Sequence, residues 1–181
     1  MRGNEALATC MASLLLFFSS MPICQAQLGL GEPKVSCFDS YLHDLHVAKK
    51  PTSVTVAKAN TANAVPTLFG EVVVIDDPLS EGPKLTSKVI GQAQGLYAFT
   101  SQTELSLFES HNLVFTDGKF KGSTLIVMGR NLVPLKVREL SIIGGIRAFC
   151  LAHAYGVKQT YSNETTTLNA IEHYNVTVIH Y

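Results

Sequence analysis

An all-β fold, a closed eight-stranded antiparallel β-barrel of the calycin-like kind, is what this sequence predicts. Three observations carry that expectation. Runs dense in β-branched and aromatic residues recur beyond residue 37, each ended by turn-forming residues. No segment holds a convincing helical period. The composition, 46% hydrophobic against 15% charged, suits an ordered domain with an interior to fill. A barrel is preferred to an open sandwich because closure removes the edges that long apolar strands otherwise present.

The elements follow in order. The first strand is expected over residues 38–45 and the second over 68–76, closed by Asp76-Asp77-Pro78. Between them, residues 49–66 are rich in Ala, Thr and Asn and suit a loop or an irregular edge segment. Ser80-Glu81-Gly82-Pro83 turns the chain into a third strand over 86–99, and Asp117-Gly118 ends a fourth over 104–116 with a hairpin signal. A fifth is expected over 123–129 and a sixth over 136–142. Gly144-Gly145 opens a seventh over 148–157, and residues 172–181 close the chain. In the third strand alternate residues face opposite sides. Lys88, Gln92 and Gln94 look outward, and Gly91, Ala93, Gly95, Tyr97 and Phe99 inward. Small inward residues leave room for a ligand; glycines equally serve close strand coiling. Spacing alone leaves both open.

The 181 residues divide into a leader, 1–26, and one domain, 27–181. Apart from Arg2 and Glu5 no charge appears before Glu32. A short apolar run from Ala12 to Phe18 is followed by Ser19-Ser20-Met21-Pro22 and the small-x-small end Cys24-Gln25-Ala26. That order is expected of a secretory signal peptide cut after Ala26, and the run is too short for a membrane span. Removal takes Cys10 and Cys24 and leaves Cys37 and Cys150, for which a disulfide is allowed but not implied. Secretion makes the sequons at Asn163 and Asn175 candidate glycosylation sites, Asn163 the better because its polar surroundings suggest a loop.

Several chemistries are disfavoured. The formal net charge is zero and the basic residues are scattered, so neither nucleic acid nor a membrane surface is an expected partner. His43 and His46 stand three apart, on opposite faces of a strand, and no second cluster has ligand spacing, so no metal is expected. Asp44, His153 and a serine could be assembled into a hydrolase triad on paper, but no Gly-x-Ser-x-Gly elbow accompanies them. Asp76-Asp77 before Pro78 suggests turn chemistry and not acid–base work.

A run of ordered motifs then resembles the plant dirigent family. It begins with Tyr41-Leu42-His43-Asp44, Phe69-Gly70 and Val73-Val74-Ile75-Asp76-Asp77-Pro78-Leu79, followed by Gly91-Gln92-Ala93-Gln94-Gly95-Leu96-Tyr97. The stretch from Phe115 to Leu125, then Gly129-Arg130-Asn131, Val137-Arg138-Glu139-Leu140, Ile143-Gly144-Gly145 and the ending Glu172 to Val178 continue it. The Gly-Arg-Asn triplet places the chain in a branch apart from the best-known lignan-forming one, whose members carry aspartate at the position of Asn131. The family's usual Thr-Gly and Ala-Arg-Gly are replaced by Ile146-Arg147 and Ala152-His153-Ala154, which puts side chains into a turn that glycine suits.

The resemblance implies an eight-stranded barrel in the apoplast, assembled as a homo-oligomer (trimer or dimer), with no cofactor and no redox centre. A separate oxidase such as a laccase or peroxidase makes phenoxy radicals from monolignols like coniferyl alcohol, and the protein sets the handedness of their coupling to lignans. Some relatives instead act on quinone methides, with a dehydrating ring closure. The resemblance therefore implies a non-oxidative stereochemical guide, with a cyclase or dehydratase as its enzymatic form. Carried over by motif, it places Asp44 as acid/base, Tyr97 as donor to a phenol oxygen, Arg138 as stabiliser of developing negative charge, and Asn131 in the substrate pocket. Asp44 could alternatively form a structural ion pair with Arg138. Two other readings stand beside this one: an extracellular calycin-like carrier of an apolar phenolic or lipid, and an enzyme of the allene oxide cyclase type, which the motif run disfavours.

Overall fold

The structure, a computed structural model, describes residues 31–164 and 168–181; the expected signal peptide, with Cys10 and Cys24, lies outside them. The described residues form nine strands: β1 (Lys34–Asp44), β2 (Ser53–Lys58), β3 (Glu71–Ser80), β4 (Val89–Phe99), β5 (Ser106–Phe115), β6 (Thr124–Leu132), β7 (Val137–Ile146), β8 (His153–Glu164) and β9 (Asn169–His180). Their order is β1-β9-β8-β7-β6-β5-β4-β3-β2, and a further pairing of β1 with β3, at Tyr41–Ser80 and Leu42–Leu79, closes eight strands into an antiparallel barrel. β2 remains outside as an added edge strand on β3.

Eight of these strands fall where the sequence expects them; the ninth, β2, falls in the stretch expected to be a loop or an irregular edge. Three boundaries also differ. Gly144-Gly145 does not open a strand but lies inside β7, paired with Ile126 and Leu125. The next strand starts later, at His153, after a 3-10 turn at Arg147–Phe149. β3 does not end at Asp76-Asp77-Pro78 but runs through it to Ser80. The Asp76 amide donates to Thr52 O, toward β2, and Pro78, two residues on, faces the same side. There β3 has left β2, last paired at Ile75, and has not yet met β1, so the missing proline N–H interrupts no ladder.

Alternation along the strands fills the barrel from one end. Phe38, Phe115, Phe120 and Phe149 pack edge-to-face or tilted around that end, with Leu79, Leu125, Val176 and Val178 beside them. On β4 the two open explanations of the inward glycines each hold in part. A Cβ on Gly95 would press into the β5 backbone, 2.5 Å from His111 Cα, and Gly91 is as close to Val114 O. Those glycines serve close approach, while room for a ligand opens beyond them, at Tyr97 and Phe99. The altered turn does place Arg147 in the left-handed region, at φ 59°, a conformation costing about 1–2 kcal/mol for a residue with a Cβ. Residues 144–154 lie away from the opposite, open end and do not line its cavity.

Cys37 and Cys150 are both free and exposed. Asn163 is not in a loop but pairs with Ala170 near the end of β8, and Asn175 is exposed in mid-β9 with its amide donating to Asp39. His43 is buried against Ser80 Oγ at 2.7 Å, and His46 lies beyond the end of β1 instead of on it. Among the described residues no cluster of His, Cys, Asp or Glu could hold a metal.

Candidate functional site

The open end of the barrel holds a cavity of about 370 Å³. Leu42, Ile75, Phe99, Leu105, Leu107 and Val133 supply apolar wall, and Leu68 and Leu168 stand among its lining residues at positive φ, 54° and 61°. Polar groups enter at the same inward phase as the core. Asp77 follows Val73 and Ile75 on β3, Glu109 and His111 follow Leu107 on β5, and Lys158 follows Gly156 on β8. Each is a charged or titratable side chain at a position where alternation calls for an apolar one.

One wall, from β1, β3 and β4, carries acids. Asp44 accepts from Tyr97 Oη at 3.2 Å and from Ser53 Oγ. Burial raises its pKa, against the opposing pull of Ser53, Lys158, Tyr97 and His46. Asp77 is fully buried, and burial together with the neighbouring Asp44 charge pushes it up to about 8. Near neutral pH this carboxyl therefore carries a proton. Tyr97 is held protonated well above the ordinary tyrosine range by burial and by Asp44.

The other wall, from β5 to β9, carries pairs. Lys158 Nζ bonds Glu109 Oε1 at 2.9 Å, and the Asn131 amide donates to the same oxygen. Burial works against both charges. Lys158, His111 and Asn131 nevertheless hold Glu109 below the usual carboxylate range, and Glu109, Tyr174 and Glu172 raise Lys158 well above the usual lysine range. His111 is driven down to about 4 by burial and is neutral. Arg138 bonds Glu172 at 2.6 Å and Thr160 at 2.7 Å.

Of the residues expected from sequence, Asp44, Tyr97 and Asn131 line this one cavity. Arg138 does not; it lies behind Glu172, which does. The alternative Asp44–Arg138 ion pair is not formed, because Glu172 occupies the guanidinium and Ser53 and Tyr97 occupy the carboxylate. Asp77, assigned to a turn on its proline neighbour, is instead a cavity residue. Glu109, His111, Lys158 and Glu172 were missed. Counting by twos along each strand would have found all of them.

A closed β-barrel with a one-ended, apolar cavity lined by buried acids has room for a small organic molecule and carries groups able to exchange protons. A family model described as dirigent-like protein matches residues 35–179. The chain is 45% identical to Dirigent protein 21 of Arabidopsis thaliana over 147 residues, covering 81% of this chain and 78% of that one. It is 41% identical to Pterocarpan synthase 1 of Glycyrrhiza echinata over 157 residues, covering 85% and 82%. The solved pterocarpan synthase dirigent protein GePTS1 superposes with a TM-score of 0.79 at 41% identity, covering 84% of this chain and 88% of that one. This chain belongs to the dirigent family.

Proposed function

We propose that the protein holds a phenolic intermediate of phenylpropanoid metabolism in the barrel cavity and fixes the stereochemistry of its ring closure or coupling. The observation that carries this reading is the Asp44–Tyr97 pair at the wall of an apolar cavity, a proton acceptor and donor set where a phenol's ring can lie. Of the two chemistries, ring closure at a quinone methide is favoured. It moves protons, for which this cavity is equipped, whereas recombination of two radicals does not. Similarity to pterocarpan synthases supports the same choice. Asn131, an amide where lignan-forming relatives carry an acid, cannot exchange a proton at ordinary pH, so that task falls to Asp44 and Tyr97.

On this reading Tyr97 and Asp44 orient the substrate and exchange its protons. Asn131, tied to Glu109, shapes the floor, and Arg138 acts through Glu172. The leader-like N-terminus and the sequons at Asn163 and Asn175 support work in the apoplast as a glycoprotein. An outward strip of Val74, Leu96, Phe108 and Met128 on β3 to β6 supports self-association. A radical substrate requires a separate laccase or peroxidase; a benzylic alcohol does not.

The test offers the mature protein a racemic hydroxylated isoflavan-4-ol, and in parallel coniferyl alcohol with a limiting one-electron oxidant. Products are resolved by chiral chromatography. Enantiomeric excess in the first arm is the expected result. Excess in the second arm alone moves the function to radical coupling. Racemic product in both, with ligand binding intact, leaves a carrier.

A further inference from the structure

The end of the barrel opposite the cavity carries charge to which the reading above gives no task. Basic residues are scattered along the sequence, but the fold gathers three of them there on two touching connections. Lys119 and Lys121 stand on the connection between β5 and β6, and Arg147 on the turn between β7 and β8. The two connections are fastened together. Phe120 packs on the fully buried Phe149 with ring centroids 4.7 Å apart, and the Ala148 amide donates to Ser123 Oγ at 3.3 Å. The Arg147 side chain lies over Gly122, its Cδ 3.8 Å from where a Cβ on that glycine would stand. Lys119 Nζ reaches back over the Phe120 ring, 5.1 Å from its centroid. All three cations are exposed, and among the described residues none has an ion-pair partner. The acid of their own connection, Asp117, is bonded instead by Lys88 at 2.9 Å and feels Lys121 only at longer range. Arg147 also stands at φ 59°, a conformation that a residue with a Cβ resists. Strain of that kind concentrates where a side chain has a task.

We propose that Lys119, Lys121 and Arg147 form a binding patch for an acidic polysaccharide, a chain of uronic-acid units, which tethers the barrel by its filled end. The choice of occupant rests on the apoplastic setting of the reading above, where wall polymers present carboxylates at regular intervals. The patch complements such a chain. One exposed cation meeting one exposed carboxylate contributes little. A polymer engages several cations together, and each further contact forms within an assembly already held. Ions condensed on the polymer are released as the cations replace them, which makes the binding sensitive to salt. The formal net charge of the chain is zero, so no general attraction to a polyanion competes with this local one. A lipid surface suits the patch less well. Only Ile146 and Leu151 expose apolar side chains on that turn, not the broad apolar face that an interfacial element buries. None of the three cations lines the cavity, so a protein held by this end keeps its mouth open to substrate.

The experiment titrates the mature protein with polygalacturonate in calcium-free buffer, and in parallel with the fully methyl-esterified polymer and with phosphatidylserine vesicles. Wild type should bind the acid polymer and not the ester, and lose about 10-fold or more in affinity between about 50 and about 200 mM salt. Lys119→Gln, Lys121→Gln and Arg147→Gly combined should weaken binding by about 10-fold or more at the lower salt. Lys49→Gln with Lys50→Gln, which removes exposed charge near the mouth, should keep the wild-type affinity. Arg147→Gly alone should weaken binding while raising the thermal midpoint by about 2–8 °C, because it relieves the backbone strain. A patch variant that binds as well as wild type overturns the assignment. So does equal retention by the esterified polymer, an equal loss in the mouth variant, or capture by vesicles without capture by the polymer. The patch variant should give the same enantiomeric excess as wild type in the ring-closure assay. Steering without polymer binding overturns the tether alone, whereas polymer binding without steering overturns the reading of the cavity alone.

Discussion

The two walls of the cavity bury charge in opposite ways. On the β5 to β9 side Lys158 is matched by Glu109 and Arg138 by Glu172. On the β1 and β3 side Asp44 has only two hydroxyl donors and Asp77 has no partner. A matched pair gives up hydration for Coulomb attraction and remains ionised. An unmatched acid avoids the same cost by keeping its proton. The first wall therefore holds shape, and the second is free to exchange protons with a guest.

That contrast can be broken most forcefully at Lys158. Lys158→Met strands the Glu109 charge in the interior and is expected to cost about 3–5 kcal/mol, measured by urea unfolding at neutral pH. Replacing Glu109 by Leu as well should restore most of the loss. A single variant as stable as wild type would show that the pair is not what holds this wall.

Asp77→Asn should act in the other direction. An acid at 3.8 when unfolded and about 8 when folded contributes stability that is complete below the lower value and lost as the pH rises through the higher. The asparagine has no such loss. Its advantage over wild type should therefore grow between about pH 4 and pH 8 and level off above, reaching a few kcal/mol on the order that a shift of this size allows. A thermal midpoint difference that stays flat with pH would place Asp77 among the matched charges after all.

Tyr97→Phe removes one of the two donors to Asp44 and is expected to cost about 1 kcal/mol, with enantiomeric excess falling more than substrate affinity. The smallest effect belongs outside the barrel, where Arg130 pairs with Glu104 in contact with solvent. Arg130→Ala should change stability by less than about 1 kcal/mol. If it cost as much as Lys158→Met, pairing and not burial would be the quantity that matters.

The architecture was legible because period-two patterning and turn residues act locally, and eight of nine strands obey them. β2 escaped because Ser53–Lys58 is a six-residue edge strand whose partner lies on β3 and whose outward residues include Val54 and Val56, so no clean alternation marks it. Part of the site was also legible: Asp44, Tyr97 and Asn131 share a cavity. Asp77 was not, since a proline two strand partners can bypass looks in sequence like a proline that ends a strand. Nor was the isolation of Arg138 behind Glu172. Which carboxylate a guanidinium chooses is decided by strands whose sequence positions are 34 apart.

The ladder between β1 and β9 has a consequence for how the molecule is made. It runs from Lys34–His180 to Asp44–Ala170, so the earliest strand pairs along its whole length with the latest. At ordinary elongation speeds β1 waits on the order of ten seconds for its partner to emerge. Its other neighbour, β3, offers only two residue pairs in the meantime. A chain cut short before residue 169 would have no ninth strand to insert, leaving β1 and β8 as open edges. Closure thus works as a length check at birth: only a complete polypeptide can hide its seams.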